Sequence, residues 1–192
     1  MNRMDALVED LLALARQGQV VDDTEPVALA AAAEEAWATA DTQEASLELD
    51  DDVVVEADDA RFRELLENLF RNAVEHGSTS SRPEADDAVE RGSTGDSPAA
   101  VTVEVGELAD GEGFYVADNG PGIPEELCDR IFDHGFTTEE DGTGFGLAIV
   151  ASIADAHGWE VEAACCDDPE SANGARFEFS RVTVRDDVAT QR

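Results

Sequence analysis

The segment ARFRELLENLFRNAVEHG, residues 60–77, limits what this chain can fold into more than any other. Phe62, Leu65, Leu66, Leu69 and Ala73 recur at helical spacing and form one stripe to be buried. Glu64, Asn68, Asn72 and His76 recur every four residues along another face. Asparagine is a poor helix former because its side chain competes for backbone hydrogen bonds, so two of them one turn apart need a reason. Two readings stand: plain surface residues, or ligands whose hard carbonyl oxygens suit Mg2+ held jointly with phosphates. Asp58 or Asp59 can cap this helix, and Gly77 stops it.

A phrase from the end of this helix recurs. AVE-x-GST begins at Ala73 and again at Ala88, fifteen residues apart, after Asn72 in one case and Asp87 in the other. The first copy continues a helix with an apolar face. The second follows SSRPEAD, which offers no such face, and Pro83 forbids one long helix through both. Asp87 could ligate magnesium chemically, but nothing in its surroundings would hold it in a site. Residues 78–99 read as a disordered insertion carrying a duplication.

Within 192 residues there is room for one domain and an added element. The 46 acidic residues against 12 basic ones give a formal charge of −34, and every basic residue other than histidine is arginine. That surface excludes nucleic acid and anionic membrane as direct partners, since both need a basic face. Acid excess with lysine absent resembles proteins of extreme halophiles, where concentrated salt screens self-repulsion. Cys128, Cys165 and Cys166 lack zinc spacing and an even disulfide count, and read as reduced packing residues. With no apolar run long enough for a membrane helix and no signal peptide, the chain is expected to be soluble and cytoplasmic.

Along the chain, MNRMDALVEDLLALARQG (residues 1–18) carries Met4, Leu7, Leu11 and Leu14 as a seam that needs a partner helix. Residues 19–26 read as a linker. VALAAAAEEAWATA (27–40) is helical by propensity. SLEL and VVVEA read as strands with Asp50 to Asp52 as the turn between them. AVTVEVGEL and GFYVADNG predict a hairpin, PEELCDRIF a short helix begun by Pro124, and FGLAIVASIADAHG a longer one. EVEAACC and ARFEFSRV are the last strands. Trp37 and Trp159 read as packing residues, His134 as a surface residue, and His157 as a helix-end residue favoured by the dipole. Without a regular βαβ repeat, this order predicts an α+β fold: a two-layer sandwich with a mixed sheet covered by helices on one face.

Two glycine-rich segments carry chemistry. In FYVADNGPGIP, strand alternation puts Phe114, Val116 and Asp118 on one face, so a carboxylate ends an inward row and must find a donor. Adenine's amino group would serve, whereas guanine presents an acceptor at that edge. Gly120 and Gly122 allow a flat ligand close approach, although DNGPGIP alone could be a turn. In DGTGFGLAIV, Gly142, Gly144 and Gly146 run into an apolar helix whose free amides and dipole favour phosphate.

Taken in order, ENLFRNA, DNGPGIP, IFDHGF and GTGFGLAI resemble the N-box, first glycine box, F-box and second glycine box of the catalytic ATP-binding domain of two-component sensor histidine kinases. The halophilic-archaeal type is suggested by the charge. The resemblance implies a Bergerat-type ATP-binding fold over residues 27–185, then a tail at 186–192. It also likens residues 1–18 to the second helix of a dimerisation and phosphoacceptor hairpin. It implies Mg2+ on Asn72, with Asn68 near the phosphates and Asp118 on adenine between Gly120, Gly122 and Ile123. Phe132 and Phe136 would anchor a lid, and Gly142, Thr143, Gly144, Phe145, Gly146 and Leu147 would meet the nucleotide. Related ATP hydrolases carry a glutamate at the position of Asn68; an amide cannot act as a general base, which argues for phosphotransfer.

Three departures qualify that likeness. His76, His134 and His157 are each followed by Gly, so the phosphoacceptor histidine is absent and must come from a hairpin in cis or trans. Glu75 stands where family members often carry lysine. The lid 133–141 has no Arg or Lys, leaving phosphate charge to Mg2+, helix amides, His76, Thr137 and Thr138. The implied partners are a response regulator and a homodimer through residues 1–18. The alternatives are a non-catalytic nucleotide-binding module and an anti-sigma-type protein serine kinase.

Overall fold

The computed structural model describes residues 21, 23–40, 42, 45–49, 53–78, 101–138, 143–164 and 174–186. The expected N-terminal helix, nearly all of the insertion, and Gly142, Cys165 and Cys166 lie outside them.

Among the described residues eight strands and four helices follow in the order β1 (Glu25–Ala28), α1 (Leu29–Thr39), β2 (Ser46–Leu49), β3 (Val53–Ala57), α2 (Asp59–Ser78), β4 (Thr102–Glu107), β5 (Gly113–Asp118), α3 (Glu125–Cys128), α4 (Gly146–His157), β6 (Glu160–Ala164), β7 (Arg176–Ser180) and β8 (Val184–Asp186). Five strands form a mixed sheet in the order β2-β4-β5-β7-β6. Only its β2–β4 pairing is parallel, Ser46 opposite Thr102 and Leu49 opposite Val105. β1, β3 and β8 form a smaller antiparallel sheet with β3 in the centre.

The period-two pattern decides which sheet face is covered. Val103, Val105, Phe114, Val116, Phe177 and Phe179 are buried, whereas Glu104, Arg176 and Glu178 alternate with them on the opposite face. On the outer face Tyr115 is covered by Arg176, whose guanidinium lies 3.6 Å from the ring centroid, while its hydroxyl donates to Glu104. On the inner face α2 lays Phe62, Leu65, Leu66, Leu69 and Phe70, all essentially inaccessible. Phe62 meets Phe114 and Trp159 edge-on at 5.4 and 5.8 Å, and Phe114 stacks on Phe179 at 4.6 Å. Such aromatic pairs add about 0.5–1.5 kcal/mol each beyond area burial. Trp37 of α1 packs edge-on against Phe70, so both tryptophans serve packing.

The cap of α2 is Asp58, whose Oδ1 accepts the Arg61 amide at 3.0 Å. Arg63 ties this first turn to α1, pairing with Asp59 and, at 2.7 Å, with Glu35.

Several local readings are corrected. Val27 and Ala28 open no helix; with Glu25 and Pro26, the end of the expected linker, they form β1. Pro26 is tolerated because β1 is an edge strand. β2 and β3 are not a hairpin: they join different sheets, and β2 pairs across more than fifty residues with β4. After Arg181 the chain leaves the large sheet, and VRD forms β8 in the small one. Cys128 is disulfide-bonded rather than reduced. Among the described residues no helix is long and apolar enough to cross a membrane.

Candidate nucleotide-binding site

Three elements bring most of the expected site residues to one end of the inner face. α2 and α4 run antiparallel, so the asparagines of α2 face the first turn of α4. The helical stripe of Phe62, Leu65, Leu66 and Leu69 fixes the rotation of α2, and that rotation turns Asn68 inward. Asn68 is 5% exposed, the buried polar residue among those described. Its Nδ2 donates to Glu64 O at 2.8 Å, which leaves Oδ1 turned toward α4. Asn72, one turn on, is half-buried, and its Nδ2 is inaccessible with no hydrogen-bond partner.

Across from them stands Gly146. A β-carbon there would lie 3.2 Å from Asn72 Oδ1 and 3.6 Å from Asn68 Oδ1. Glycine therefore leaves the space into which both amides point. Phe145, the N-cap of α4, provides no side-chain cap, so the first-turn amides of α4 keep their capacity to donate to a ligand. Phe145 and Leu147 pack partly against the core, and Thr143 and Gly144 are half-exposed just before the helix.

The third element is the end of β5. Asp118 Oδ1 accepts two backbone amides, from Gly120 at 2.8 Å and Ala175 at 3.1 Å. Burial pushes the Asp118 carboxyl above its usual range, opposed by those two amides and by the charge of His76. The end of α2 also lies beside the end of β5. A β-carbon on Gly120 would lie 3.6 Å from the Gly77 α-carbon, which brings the same two elements together at the backbone. Gly174 (φ 86°) runs so close to Asp118 that any β-carbon would overlap its carbonyl oxygen. This Gly174–Ala175 contribution was not read from the sequence; Asn173-Gly174 before a strand was the available signal.

The lid residues divide. Phe132 packs edge-on against Phe177 of β7 at 6.4 Å, while Phe136 lies under the Arg130 guanidinium at 5.1 Å. The Gly135 amide donates to Gly144 O at 2.9 Å, closing the neck of the loop between them. Thr137 and Thr138 are exposed there, and Ile123 and Gly122 are half-buried after β5.

A nucleotide-binding α+β sandwich is the class that this arrangement defines. The family model described as histidine kinase-, DNA gyrase B-, and HSP90-like ATPase matches residues 57–186, and the chain belongs to that family. Among curated relatives, the sensor histidine kinase ZraS of Klebsiella oxytoca is 36% identical over 128 residues, 65% of this chain and 22% of that protein. The methanogenesis regulatory histidine kinase FilI of Methanothrix harundinacea is 29% identical over 168 residues, 83% of this chain and 17% of that protein. The chain thus spans about a fifth of the length of such relatives. Among solved structures, full-length ShkA in complex with AMPPNP superposes with a TM-score of 0.66 at 27% identity, covering 92% of this chain and 35% of that one. The mycobacterial sensor histidine kinase MprB shares the fold, with a TM-score of 0.61 at 20% identity over 81% of this chain and 95% of that one.

Proposed function

We propose that this chain binds Mg-ATP and serves as the catalytic domain of a two-component sensor histidine kinase. The observation that carries this reading is the convergence of Asn68 and Asn72 on Gly146, beside a carboxylate fixed by two backbone amides. The partners of the reading are an acceptor hairpin, which supplies the histidine in cis or trans, and a response regulator, which receives the phosphoryl group. The named histidine kinases among its relatives and the AMPPNP bound in ShkA support it.

Mg2+ fits the residues present. The Asn72 amide is buried with an unpartnered end, and a half-turn about its last bond exchanges oxygen for nitrogen. It can thus offer a hard oxygen to a cation or an N–H to a phosphate oxygen. When bound, the ion would neutralise phosphate charge.

The chain's own residues do the rest. Asp118, ionised, accepts from the adenine amino group through the oxygen not committed to Gly120 and Ala175. The α4 amides beyond Gly146 donate to phosphate oxygens at the positive end of the helix dipole. Asn68, held by Glu64, orients donors and acceptors near the triphosphate without the capacity to activate water. The γ-phosphorus–oxygen bond to the leaving ADP breaks as the acceptor histidine nitrogen bonds to phosphorus, and positioning supplies most of the rate.

The test is incubation with labelled Mg-ATP in molar KCl, with and without a separate acceptor hairpin. Label on the hairpin only when the chain is present is expected. Binding without transfer would overturn the kinase reading in favour of a nucleotide-binding module, and no binding would overturn both.

A further inference from the structure

His157 sits at the opposite end of α4 from Gly146, roughly 16 Å along the helix axis. Its Nε2 accepts the Asp58 backbone amide at 3.0 Å, and its Nδ1 lies 2.8 Å from Ile153 O. An amide can only donate and a carbonyl can only accept, so these two contacts require the neutral ring with its proton on Nδ1. The ring stacks on Trp159 at 4.4 Å, and Trp159 in turn packs on Phe62 of α2. One side chain therefore joins the last turn of α4 to the cap of α2. The same turn holds the entering chain, since the Val21 amide donates to Ala156 O at 3.0 Å.

We propose that His157 is a positioning residue for the nucleotide site. Neutral, it sets α4 against α2 and so sets Gly146 against Asn68 and Asn72; protonated, it releases the Asp58 amide. The inference rests on the nucleotide-binding reading above. A proton on Nε2 would put donor against donor, and two helices packed as rigid rods carry a shift at one end to the other.

Among the described residues the charged groups around the ring are few. Asp58 favours its protonation and Arg61 opposes it, both from the start of α2. Glu160 of β6 is exposed and engaged by Arg181 at 2.9 Å, while Asp23 of the entering chain and Asp155 of α4 itself are exposed. Burial outweighs these and holds the ring's pKa below its ordinary value, so the latch is closed at neutral pH.

The test compares the full chain with His157→Gln, whose side-chain carbonyl can accept from Asp58 but cannot titrate, and with His157→Leu, which cannot accept. Mg-ATP affinity is measured in molar KCl between about pH 7.5 and about pH 5, with hydrogen exchange at the Asp58 amide on nucleotide-free samples. His157→Gln is expected to bind like the parent at the upper pH. Toward the lower pH the parent should lose on the order of fivefold more affinity than His157→Gln, with Asp58 protection lost in the parent alone. His157→Leu should be weak, with Asp58 unprotected, throughout. Parallel affinity losses in the parent and His157→Gln would overturn the inference, even if Asp58 protection changes. No binding by the parent at the upper pH would overturn the nucleotide reading and with it the coupling, and Asp58 exchange would show separately whether the latch exists.

Discussion

Gly146 and Asn72 meet across the antiparallel pair α2 and α4, with 3.2 Å between Asn72 Oδ1 and the place a β-carbon on Gly146 would take. That separation is tighter than ordinary van der Waals contact. Gly146→Ala should therefore push the Asn72 amide aside and weaken Mg-ATP binding at least about tenfold, roughly 1.4 kcal/mol, without unfolding the chain. Calorimetric titration alongside circular dichroism checks both halves; unaltered affinity would show that the amide has room to spare.

Of the two copies of the repeated phrase, the first follows the half-buried Asn72 and the second follows Asp87. Asn72→Ala is expected to lower Mg-ATP affinity by about a hundredfold or more, since it removes the unpartnered amide that the site presents. Deleting residues 80–94 should leave affinity within about twofold. A large loss from that deletion would mean that the second copy takes part.

On the proposed function, Asp118 would read the purine through the carboxylate oxygen left over after Oδ1 has accepted from Gly120 and Ala175. Asp118→Asn can keep those two bonds on its oxygen while turning an N–H pair toward the ligand. ATP binding should fall by about a hundredfold, and GTP, with an acceptor at that edge, should gain relative to it. Competition between the two nucleotides measures this, and an unchanged preference would place the purine elsewhere.

The pH dependence of stability follows from His157. Burial lowers its folded-state pKa below the unfolded value of about 6.5. The unfolded chain then binds the extra proton more readily, so this group's contribution is complete above about pH 6.5 and is lost as pH falls from there to the lowered value. Thermal melts should show a midpoint that falls across this window in the parent and falls less in His157→Gln. Equal slopes would remove His157 from the acid response.

Salt should act with an unusual sign. A chain of charge −34 repels anionic Mg-ATP, and the sequence provides no lysine to offset this. Added KCl screens that repulsion within a Debye length of about 3 Å at 1 M, so affinity should rise with salt. A fall over the same range would mean that direct charge pairing dominates the site.

What the sequence made legible was whatever depends on local period and chemistry. The helix read over 60–77 is α2, because Phe62 to Ala73 repeat strongly and Asp58 caps its start, although the helix runs through Gly77 to Ser78 instead of stopping at the glycine. The asparagines were legible because two poor helix formers one turn apart need a reason, and Asp118 because a carboxylate ending an inward row demands a donor. Long-range pairing was not. Asp50 to Asp52 look like a hairpin turn, yet β2 is drawn to β4 because Leu47 and Leu49 pack against the core beside Val103 and Val105. β1 was hidden because EPVA runs without a break into an alanine-rich helix. His157 reads from the sequence as a helix-end residue favoured by the dipole; its second bond, to Asp58, is ninety-nine residues away and leaves no local trace.

Between the end of α2 and the start of the β4–β5 hairpin lie 23 residues, and the first strand of that hairpin pairs with β2. Closing a tether costs entropy only as the logarithm of its length. The fifteen duplicated residues therefore add about 1 kcal/mol to loop closure relative to the shorter connection without them. A change that small explains how a chain can copy part of its own site-bearing helix into the connection that follows it and still fold, and it marks this connection as the place where new sequence can be inserted at least thermodynamic risk.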